Sequence, residues 1–487
     1  SEIVLQINNF TLFKKQCYVN GQWANADSGE TYDVYNPADG SVLGEVPKMG
    51  KVETTRAIDA AVAAFPFWSS KTAKERSTVL KRWYDLIMEN QQDLATIITA
   101  EMGKPMAEAL DEIAYGASFI EWFAEESKRI YGETIPAPSI DRRIVVIKQP
   151  VGVVASITPW NFPNAMITRK CSPALAAGCS IVIKPAEDTP FSALALAELA
   201  ERAGIPRGVI NVVTGDPVEI GAELTSNPKV RKLSFTGSTP VGKLLMKQCA
   251  ATVKKVSMEL GGNAPFIVFE DADLNAAVVG AMASKFRNTG QTCICANRFF
   301  IQDSIYEIFT EMLTHAVCKL NVGSGLVNNS TQGPLINKSA LKKVEDLIDN
   351  ATARGASVVL GGKRSDLGHT FFEPTILTNV DTSMHIASEE IFGPIAALYR
   401  FKTEEEVLTI ANDTPYGLAA YFYSGDINRV WRVSEALEYG MIGINAGTIS
   451  SEVAPFGGVK ESGIGREGSR YGIEEFLEIK YMCFGGL

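Results

Sequence analysis

Apolar residues recur at three- and four-residue intervals between about residues 50 and 130. The segments TTRAIDAAVAAFPFW and AKERSTVLKRWYDLIMENQQDLATII show this spacing most clearly. Because an α-helix turns once every 3.6 residues, the spacing places these side chains on one helical face. The pattern therefore predicts a helical region in the first quarter of the chain.

A different pattern follows, in which short runs rich in Val and Ile alternate with helical segments. RRIVVIKQPVGVVASITP predicts a strand that is broken at Pro150 and Gly152. The runs SIVIKPAE, GVINVVTG, KLSFTG and KKVSMEL predict the next strands. In the helix after SIVIKPAE, we expect Thr189 and Pro190 at the N-cap and first turn, and Gly204 at the end.

A second alternating run begins after Gly262 with APFIVFE and the helical segment DADLNAAVVGAMASKFRN, and it continues to about residue 450. Strands separated by helices are typical of βαβ units, so the pattern predicts an α/β fold with parallel sheets. The C-terminal segment YGIEEFLEIKYMCFGGL ends in a strand-like run. Such a strand pairs either with another subunit or within its own chain, and the pattern leaves both open.

Length and composition limit the classes of protein that the chain can form. A chain of 487 residues predicts two or three domains. The formal net charge of −10 argues against a nucleic-acid partner. No run of 18 apolar residues occurs, so we expect no membrane span.

The cysteines and histidines indicate neither a disulfide framework nor a metal site. The eight cysteines are scattered and form no C-x-x-C motif, and none of the three histidines has zinc-ligand spacing. We therefore expect no metal and a reducing compartment: the cytoplasm, or an organelle matrix if a targeting segment has been removed.

A glycine-rich segment, GSTPVG at residues 237–242, follows a predicted strand and opens a predicted helix. Free N–H groups at a helix start favour a phosphate. The segment is not the G-x-G-x-x-G fingerprint, and Leu244 stands where a P-loop has Ser or Thr. A phosphate site and a purely structural turn both fit.

Three further motifs contain residue types suited to catalysis. Cys293 lies in GQTCICANR, a small polar loop where a cysteine can be reactive, although most cysteines are buried and inert. Glu259 ends a predicted strand in ELGGNAP, where it is either a catalytic acid or base, a helix cap or a surface acid. Asn161 in PWNFP is either a fixed oxyanion donor or a turn residue.

The joint occurrence of these motifs is more specific than any one of them. PWNFP, IKPAEDTP, FTGS, ELGG, GQTC, EEIFGP and PFGGVKESGIGRE, in this order, resemble the aldehyde dehydrogenase superfamily from about residue 15 to the end. MITRK, KFRNTGQTCICANR and the C-terminal tail resemble its succinate-semialdehyde dehydrogenase branch.

The resemblance implies a covalent mechanism. Cys293 would attack the aldehyde, Asn161 would hold the oxyanion together with the Cys293 backbone N–H, and Glu259 would activate water to hydrolyse the thioester. Lys170 matches a lysine that gives electrostatic support or relays protons. Cys295, two residues after the nucleophile, could form a strained, reversible disulfide with Cys293; the alternative is that Cys295 only packs.

The resemblance also implies a coenzyme site that favours NAD and admits NADP. Glu187 would accept hydrogen bonds from the adenine ribose, whereas Lys184 would attract the 2′-phosphate of NADP. The expected coenzyme contacts are Ile157, Thr158, Pro159, Trp160, Lys184, Glu187, Gly215, Phe235, Gly237, Ser238, Val241, Leu260, Glu390 and Phe392.

An acidic chain that binds an anionic aldehyde needs local cations. Arg169, Arg287 and Ser450 match the substrate-carboxylate residues of the branch, although surface ion pairs are the common role of a single arginine. The implied reaction is oxidation of succinate semialdehyde. The alternatives are another carboxylated or short aliphatic aldehyde, such as glutarate semialdehyde, and a non-enzymatic structural or binding protein on the same fold.

The implied fold is a Rossmann-like cofactor domain, an α/β catalytic domain and a small β oligomerisation segment, in a homodimer or homotetramer. The expected bounds of the cofactor domain are 1–127, 149–260 and about 457–470. Those of the catalytic domain are 261–456, and those of the oligomerisation segment are 128–148 and 471–487.

Overall fold

The computed structural model describes residues 5–327 and 329–487. Helices cover most of the first quarter of the chain and then alternate with strands. Their bounds are α1 (Lys51–Ser69), α2 (Ala73–Glu89), α3 (Gln91–Met102), α4 (Met106–Glu126), α5 (Ala165–Ala177), α6 (Phe191–Ala203), α7 (Pro217–Ser226), α8 (Thr239–Cys249), α9 (Leu274–Phe286), α10 (Tyr306–Val317), α11 (Lys338–Ala353), α12 (Glu404–Asn412), α13 (Ile427–Ala436) and α14 (Ser469–Glu474).

The first sheet has a parallel centre and antiparallel edges. Its strands are β1 (Cys17–Val19), β2 (Gln22–Ala24), β7 (Val153–Ile157), β8 (Ser180–Lys184), β9 (Ile210–Val212), β10 (Val230–Thr236), β11 (Lys255–Glu259) and β19 (Gly463–Ile464). They lie in the order β19-β11-β10-β7-β8-β9-β1-β2, and β7 to β11 are parallel. Helices α1, α5, α6, α7 and α8 pack against this sheet.

The second sheet is parallel except for one edge strand. Its strands are β12 (Ala264–Val268), β13 (Ala296–Gln302), β14 (Ser357–Leu360), β15 (Thr375–Thr378), β16 (Ile395–Phe401), β17 (Ala419–Tyr423) and β18 (Met441–Ile444). The order is β14-β15-β16-β13-β12-β17-β18, with β14 antiparallel. Two mainly parallel sheets with interspersed helices confirm the predicted α/β class.

A third sheet joins the C-terminal segment to the middle of the chain. Its strands are β5 (Glu133–Ile135), β6 (Arg143–Pro150) and β20 (Leu477–Phe484), and a separate hairpin is formed by β3 (Thr31–Tyr35) and β4 (Val42–Pro47). β20 pairs with β6 along its whole length. Of the two alternatives for the C-terminal strand, pairing within its own chain is therefore the one observed, and the other edge of β20 is open.

The predicted start of α6 is wrong. Pro190 is the N-cap, and Thr189 lies outside the helix with its hydroxyl oxygen lacking a hydrogen-bond partner. Instead, the carboxylate of Glu101 accepts hydrogen bonds from the first two helical N–H groups, at 2.8 and 2.9 Å. A carboxylate 90 residues away in sequence thus satisfies donors that a local side chain was expected to satisfy. Gly204 ends the helix as predicted, with a φ of 91°.

The register of the first sheet aligns the carboxyl ends of its central strands. Lys184 lies opposite Ile157, Ile157 opposite Phe235, and Thr236 opposite Glu259. Ligands of open α/β sheets bind beyond this edge. The loops that leave β7, β10 and β11 therefore define the region in which to look for a site.

Candidate active site

Asn161, Glu259 and Cys293 come from three separate segments. Asn161 lies in the loop between β7 and α5, and Glu259 is the last residue of β11. Cys293 lies in the loop that connects a short 3-10 turn after α9 with β13 in the second sheet. Asn161, Thr236 and Cys293 line one cleft, so the loop carrying Cys293 lies at the carboxyl edge of the first sheet.

A cleft of about 470 Å³ opens over Cys293. Nine of its lining residues are among those expected from the sequence: Pro159, Trp160, Asn161, Gly237, Ser238, Leu260, Cys293, Glu390 and Phe392. The others were not expected: Thr236, Gly261, Ile336, Asn337, Ser339, Ala340, Lys343 and Ile391. Several of these come from the start of α11, which carried no recognisable motif.

The Asn161 side chain is held beside the cysteine loop. Its Nδ2 donates to the backbone carbonyl of Gln291 at 3.2 Å, and the Nδ2 of Asn288 donates to the backbone carbonyl of Asn161 at 3.0 Å. The second N–H of the amide remains available to a ligand, since an amide nitrogen has two donors. This arrangement suits a fixed donor for an oxyanion.

Cys293 is a half-buried free thiol. Burial raises the pKa of Cys293 to about 12, and the carboxylates of Glu390 and Glu259 add to the rise, while Arg169 and Arg287 oppose it. Since the thiolate is the nucleophile, attack requires that a base remove this proton.

Glu259 is buried, and its Oε2 atom lacks a hydrogen-bond partner. Burial, and then the nearby Glu467, raise the pKa of Glu259 well above that of an ordinary glutamate, although Arg169 and Lys170 oppose the rise. A carboxyl group with a raised pKa is suited to accept a proton in catalysis.

Glu467 is the principal residue that the sequence analysis missed. It is buried, with Oε1 2.7 Å from Lys170 Nζ and Oε2 3.3 Å from Arg169 Nε. Burial alone would raise the pKa of Glu467, but Lys170 and Arg169 outweigh burial and lower it. Glu467 ends the motif PFGGVKESGIGRE, so the motif itself was the available signal.

The three residues expected to bind the substrate carboxylate, Arg169, Arg287 and Ser450, differ in the contacts that they make within the protein. Arg169 is buried over the Phe456 ring at 4.0 Å, and its Nη2 atom lacks a hydrogen-bond partner. Arg287 is half-buried beside the Phe162 ring, and no carboxylate in the described part of the chain lies within ion-pair distance of it. The hydroxyl of Ser450 hydrogen-bonds that of Tyr115 on α4, a second residue that sequence reasoning missed.

Several features of the cleft fit a dinucleotide. Ser238 caps α8 without using its side chain, so the first N–H groups of the helix are open to an anion. The rings of Trp160 and Phe392 meet edge to face at 5.6 Å. Glu390 Oε2 accepts a hydrogen bond from the N–H of Gly262 at 2.7 Å, and burial raises the pKa of Glu390 to about 7.

The remaining expected coenzyme residues lie outside the lining of this cleft: Ile157, Thr158, Lys184, Glu187, Gly215, Phe235 and Val241. Lys184 is buried, forms an ion pair with the exposed Glu187, and donates to the Pro185 carbonyl at 2.9 Å. Gly215, at a φ of 141°, packs against the Met49 backbone. Their roles toward a coenzyme stay predictions.

Cys293 and Cys295 are both free thiols, and Cys295 is buried with its Sγ 3.4 Å from the Lys285 carbonyl. Among the described residues, no group of three or more His, Cys, Asp or Glu side chains could hold a metal ion. In the same residues, no helix combines the length and the apolar character needed to cross a membrane.

Comparison with known proteins identifies the class. The model of the aldehyde dehydrogenase family matches residues 23–482. The chain therefore belongs to the aldehyde dehydrogenase family, and it is an NAD(P)-dependent aldehyde dehydrogenase. This confirms the predicted family, fold and class of enzyme.

Two of the most similar relatives are named for different semialdehydes. The chain is 62% identical over 483 residues to a glutarate-semialdehyde dehydrogenase of Pseudomonas aeruginosa, covering 99% of this chain and 100% of that protein. It is 63% identical over 481 residues to an NADP-dependent succinate-semialdehyde dehydrogenase of Escherichia coli, with the same coverage. The crystal structure of succinate-semialdehyde dehydrogenase from Burkholderia pseudomallei superposes with a TM-score of 0.98 at 63% identity, covering 99% of this chain and 100% of that one.

Proposed function

We propose that the protein oxidises succinate semialdehyde to succinate with NAD or NADP, through a thioester on Cys293. The observation that carries the choice of an anionic substrate is the pair of arginines near the thiol. Arg169 has N–H groups without hydrogen-bond partners, and Arg287 has no carboxylate partner in the described part of the chain. A substrate carboxylate would give both arginines a charge-assisted hydrogen-bond partner.

In the first half of the reaction, the Cys293 thiol gives its proton to solvent water, which acts as the base, and the sulfur attacks the aldehyde carbon. The Asn161 amide and the Cys293 backbone N–H stabilise the resulting oxyanion. The coenzyme, when bound, supplies the acceptor for the hydride that leaves this carbon. Trp160, Ser238, Glu390 and the remaining expected contacts would hold it.

In the second half, Glu259 takes a proton from water, and the hydroxide equivalent attacks the thioester carbon. The carbon–sulfur bond breaks, the carboxylic acid is released as product, and the proton held by Glu259 returns to the Cys293 sulfur. Lys170 and Arg169 keep Glu467 ionised, and that negative charge favours the protonated form of Glu259. Burial and the charge of Glu467 together give Glu259 the proton affinity that a base needs.

Glutarate semialdehyde is the second candidate substrate, favoured by the Pseudomonas aeruginosa relative at 62% identity. The two substrates differ by one methylene, which is worth about 1–3 kcal/mol of discrimination in a pocket. We place succinate semialdehyde first because the motifs MITRK and KFRNTGQTC resemble that branch.

For the coenzyme, we propose higher kcat/KM with NAD than with NADP. The carboxylate of Glu187 is exposed and can accept hydrogen bonds from a ribose, but its partner Lys184 favours a phosphate. The Escherichia coli relative is named for NADP and supports the opposite order. The unmodified enzyme should therefore be assayed with both coenzymes.

We also propose a homodimer or homotetramer in the cytoplasm or an organelle matrix, with the domain bounds given above. The assembly is supported by the open edge of β20 and by its exposed apolar side chains, Ile479 and Tyr481 at 72% and 62%. The first sheet lies within the bounds of the cofactor domain and the second within those of the catalytic domain, which supports the proposed division.

The test is a panel of aldehydes with the unmodified enzyme and with Arg287→Ala. Arg287 is the cleaner variant, because Arg169 also pairs with Glu467 and its loss would disturb the base. We expect Arg287→Ala to lower kcat/KM for succinate semialdehyde by roughly tenfold to 10²-fold and to leave butyraldehyde nearly unchanged.

Arg364→Ala is the matched control, since Arg364 is an exposed arginine paired with Glu345. It should leave both substrates unchanged. Equal loss for anionic and neutral aldehydes in Arg287→Ala would show that this arginine is structural. A preference of the unmodified enzyme for neutral aldehydes would overturn the proposed substrate class.

A further inference from the structure

One face of helix α4 carries a row of side chains that points toward the loops of the active site. Glu108, Glu112, Tyr115 and Phe119 are spaced by four, three and four residues, which places them on one helical face. This face packs against α5, the helix that follows the Asn161 loop. The two acids of this row contact the Asn161 loop and the 3-10 turn that leads into the Cys293 loop.

Glu112 fixes the end of the Asn161 loop. Its Oε2 accepts hydrogen bonds from the N–H of Asn164 at 2.9 Å and of Ala165 at 3.2 Å, at the start of α5. Its Oε1 lies 2.5 Å from Lys104 Nζ, which is also 3.7 Å from the centroid of the Phe162 ring. The residues that follow Asn161 are therefore clamped by buried, charge-assisted contacts.

Glu108 reaches the 3-10 turn that leads into the Cys293 loop. Its Oε1 accepts a hydrogen bond from the backbone N–H of Asn288 at 2.9 Å. Asn288 and Thr289 have φ values of 51° and 57°, in the left-handed region, which Asn enters more readily than other non-glycine residues but which the β-branched Thr rarely adopts. The contact with Glu108 thus stabilises a backbone conformation that the chain would not favour by itself.

The conformation of Asn288 determines where its side chain points. Its Nδ2 donates to the carbonyl of Asn161 at 3.0 Å and to the carbonyl of Gln291 at 3.1 Å. The Nδ2 of Asn161 donates to the same Gln291 carbonyl at 3.2 Å. Asn288 therefore ties together the two segments that supply the oxyanion donors, the Asn161 amide and the Cys293 backbone N–H.

Glu108 does not face the cleft, since neither it nor Asn288 is among the cleft-lining residues. Its carboxylate does not cap its own helix either: Oε1 is bound to Asn288, and Oε2 is buried without a hydrogen-bond partner. A buried oxygen left without a partner is unfavourable. The hydrogen bond from the Asn288 N–H to Oε1 therefore accounts for the position of this carboxylate.

We propose that Glu108 is a positioning residue for the oxyanion site, acting through Asn288 on Asn161. The inference rests on the proposed role of Asn161. It predicts that loss of Glu108 slows attack by Cys293 without weakening coenzyme binding, because neither Glu108 nor Asn288 lines the cleft proposed for the coenzyme.

The test measures acylation without a coenzyme. The Cys293 thiolate attacks the carbonyl carbon of p-nitrophenyl acetate, a carbon–sulfur bond forms, the ester carbon–oxygen bond breaks, and p-nitrophenolate leaves. We expect Asn161→Ala to slow this burst by on the order of 10²-fold. We expect Glu108→Ala to slow it by roughly tenfold or more, and Glu108→Gln, which keeps the acceptor oxygen, to stay within about threefold of the unmodified rate.

The decisive measurement is the double variant Glu108→Ala with Asn161→Ala. If Glu108 acts through Asn161, the double variant is no slower than Asn161→Ala, to within about twofold. A structural role elsewhere would give additive losses and overturn the proposal. If Asn161→Ala has no effect, the proposed oxyanion site fails and the role of Glu108 fails with it; if Asn161→Ala is slow but Glu108→Ala is normal, only the role of Glu108 fails.

Glu126→Ala is the matched control, because Glu126 is a buried acid at the far end of α4, paired with Arg129 at 2.9 Å. Its burst should equal that of the unmodified enzyme. Should Glu108→Ala fail to fold, Glu108→Gln and Glu108→Asp decide. The proposal requires the amide to preserve the burst and the shorter acid to slow it, and the reverse order overturns it.

Discussion

Two groups of charges in the molecule have very different surroundings. Arg169, Lys170, Glu259 and Glu467 form a cluster in which every side chain is almost completely buried. The Lys184–Glu187 pair has one buried partner and one whose side chain is 46% exposed. Buried charges interact strongly because water does not screen them, whereas exposed pairs contribute little. Changes near the buried cluster should alter rates by orders of magnitude, and changes at the pair should alter coenzyme preference modestly.

The largest effect is expected for the nucleophile beside the buried cluster. Cys293→Ala should lower aldehyde oxidation by on the order of 10⁴-fold or more, because no thioester forms. Calorimetry should show unchanged NAD binding. Cys318→Ala, at an exposed cysteine, is the control and should retain full activity. Substantial turnover by Cys293→Ala would remove this residue from the mechanism.

Glu259→Gln should separate the two halves of the reaction. The first turnover of NADH should persist, while the steady-state rate falls by roughly 10²- to 10⁴-fold, since the amide cannot take a proton from water. Equal loss of the burst and the steady state would contradict this division.

The pH dependence follows from the raised pKa of Glu259. Its carboxyl works only when ionised, so hydrolysis of the thioester should increase as the pH rises through a range well above the ordinary pKa of glutamate. The steady-state rate of the unmodified enzyme, measured against pH, should show this rise. A rate that is already maximal near the ordinary pKa of glutamate would show that burial and Glu467 do not raise the pKa of Glu259.

The cysteine pair gives an effect that can be reversed. Peroxide would oxidise the Cys293 and Cys295 thiols to a disulfide, with release of two waters, and dithiothreitol would restore activity. In Cys295→Ala, peroxide should instead cause loss that dithiothreitol restores only in part. Full and equal recovery in both proteins would leave Cys295 a packing residue, as its burial permits.

The smallest effect is expected at the exposed pair. Glu187→Ser should shift the ratio of kcat/KM values for NAD and NADP toward NADP by roughly threefold to tenfold, because an exposed carboxylate is partly screened. The unmodified enzyme should prefer NAD. An unmodified enzyme that uses NADP as well or better would show that Lys184 decides the choice.

The local sequence was sufficient to predict the elements that are set by residues close together in the chain. The helical region, the break between β6 and β7, and the strand-to-helix step at Gly237 all follow from residue spacing. The start of α6 was wrong because Glu101 satisfies its N–H groups from another helix. No pattern near Thr189 contains that information.

The candidate site residues were predicted from their motifs. The contacts between residues of different motifs were not predicted. Cys293, Glu259 and Asn161 lie in short segments that carry their chemistry in one stretch of sequence. Glu467 lies 297 residues from its partner Lys170, and Tyr115 lies 335 residues from Ser450. Such pairs depend on packing in three dimensions, which residue spacing does not encode.

The central claim is that oxidation passes through a thioester on Cys293 that Glu259 hydrolyses. The most direct measurement is mass spectrometry of Glu259→Gln, quenched after mixing with succinate semialdehyde and NAD and then digested. The account predicts one succinyl group per chain, on the peptide that contains Cys293, and no such adduct in the unmodified enzyme once turnover is complete. The absence of an adduct in Glu259→Gln, or its presence on another cysteine, would contradict the account.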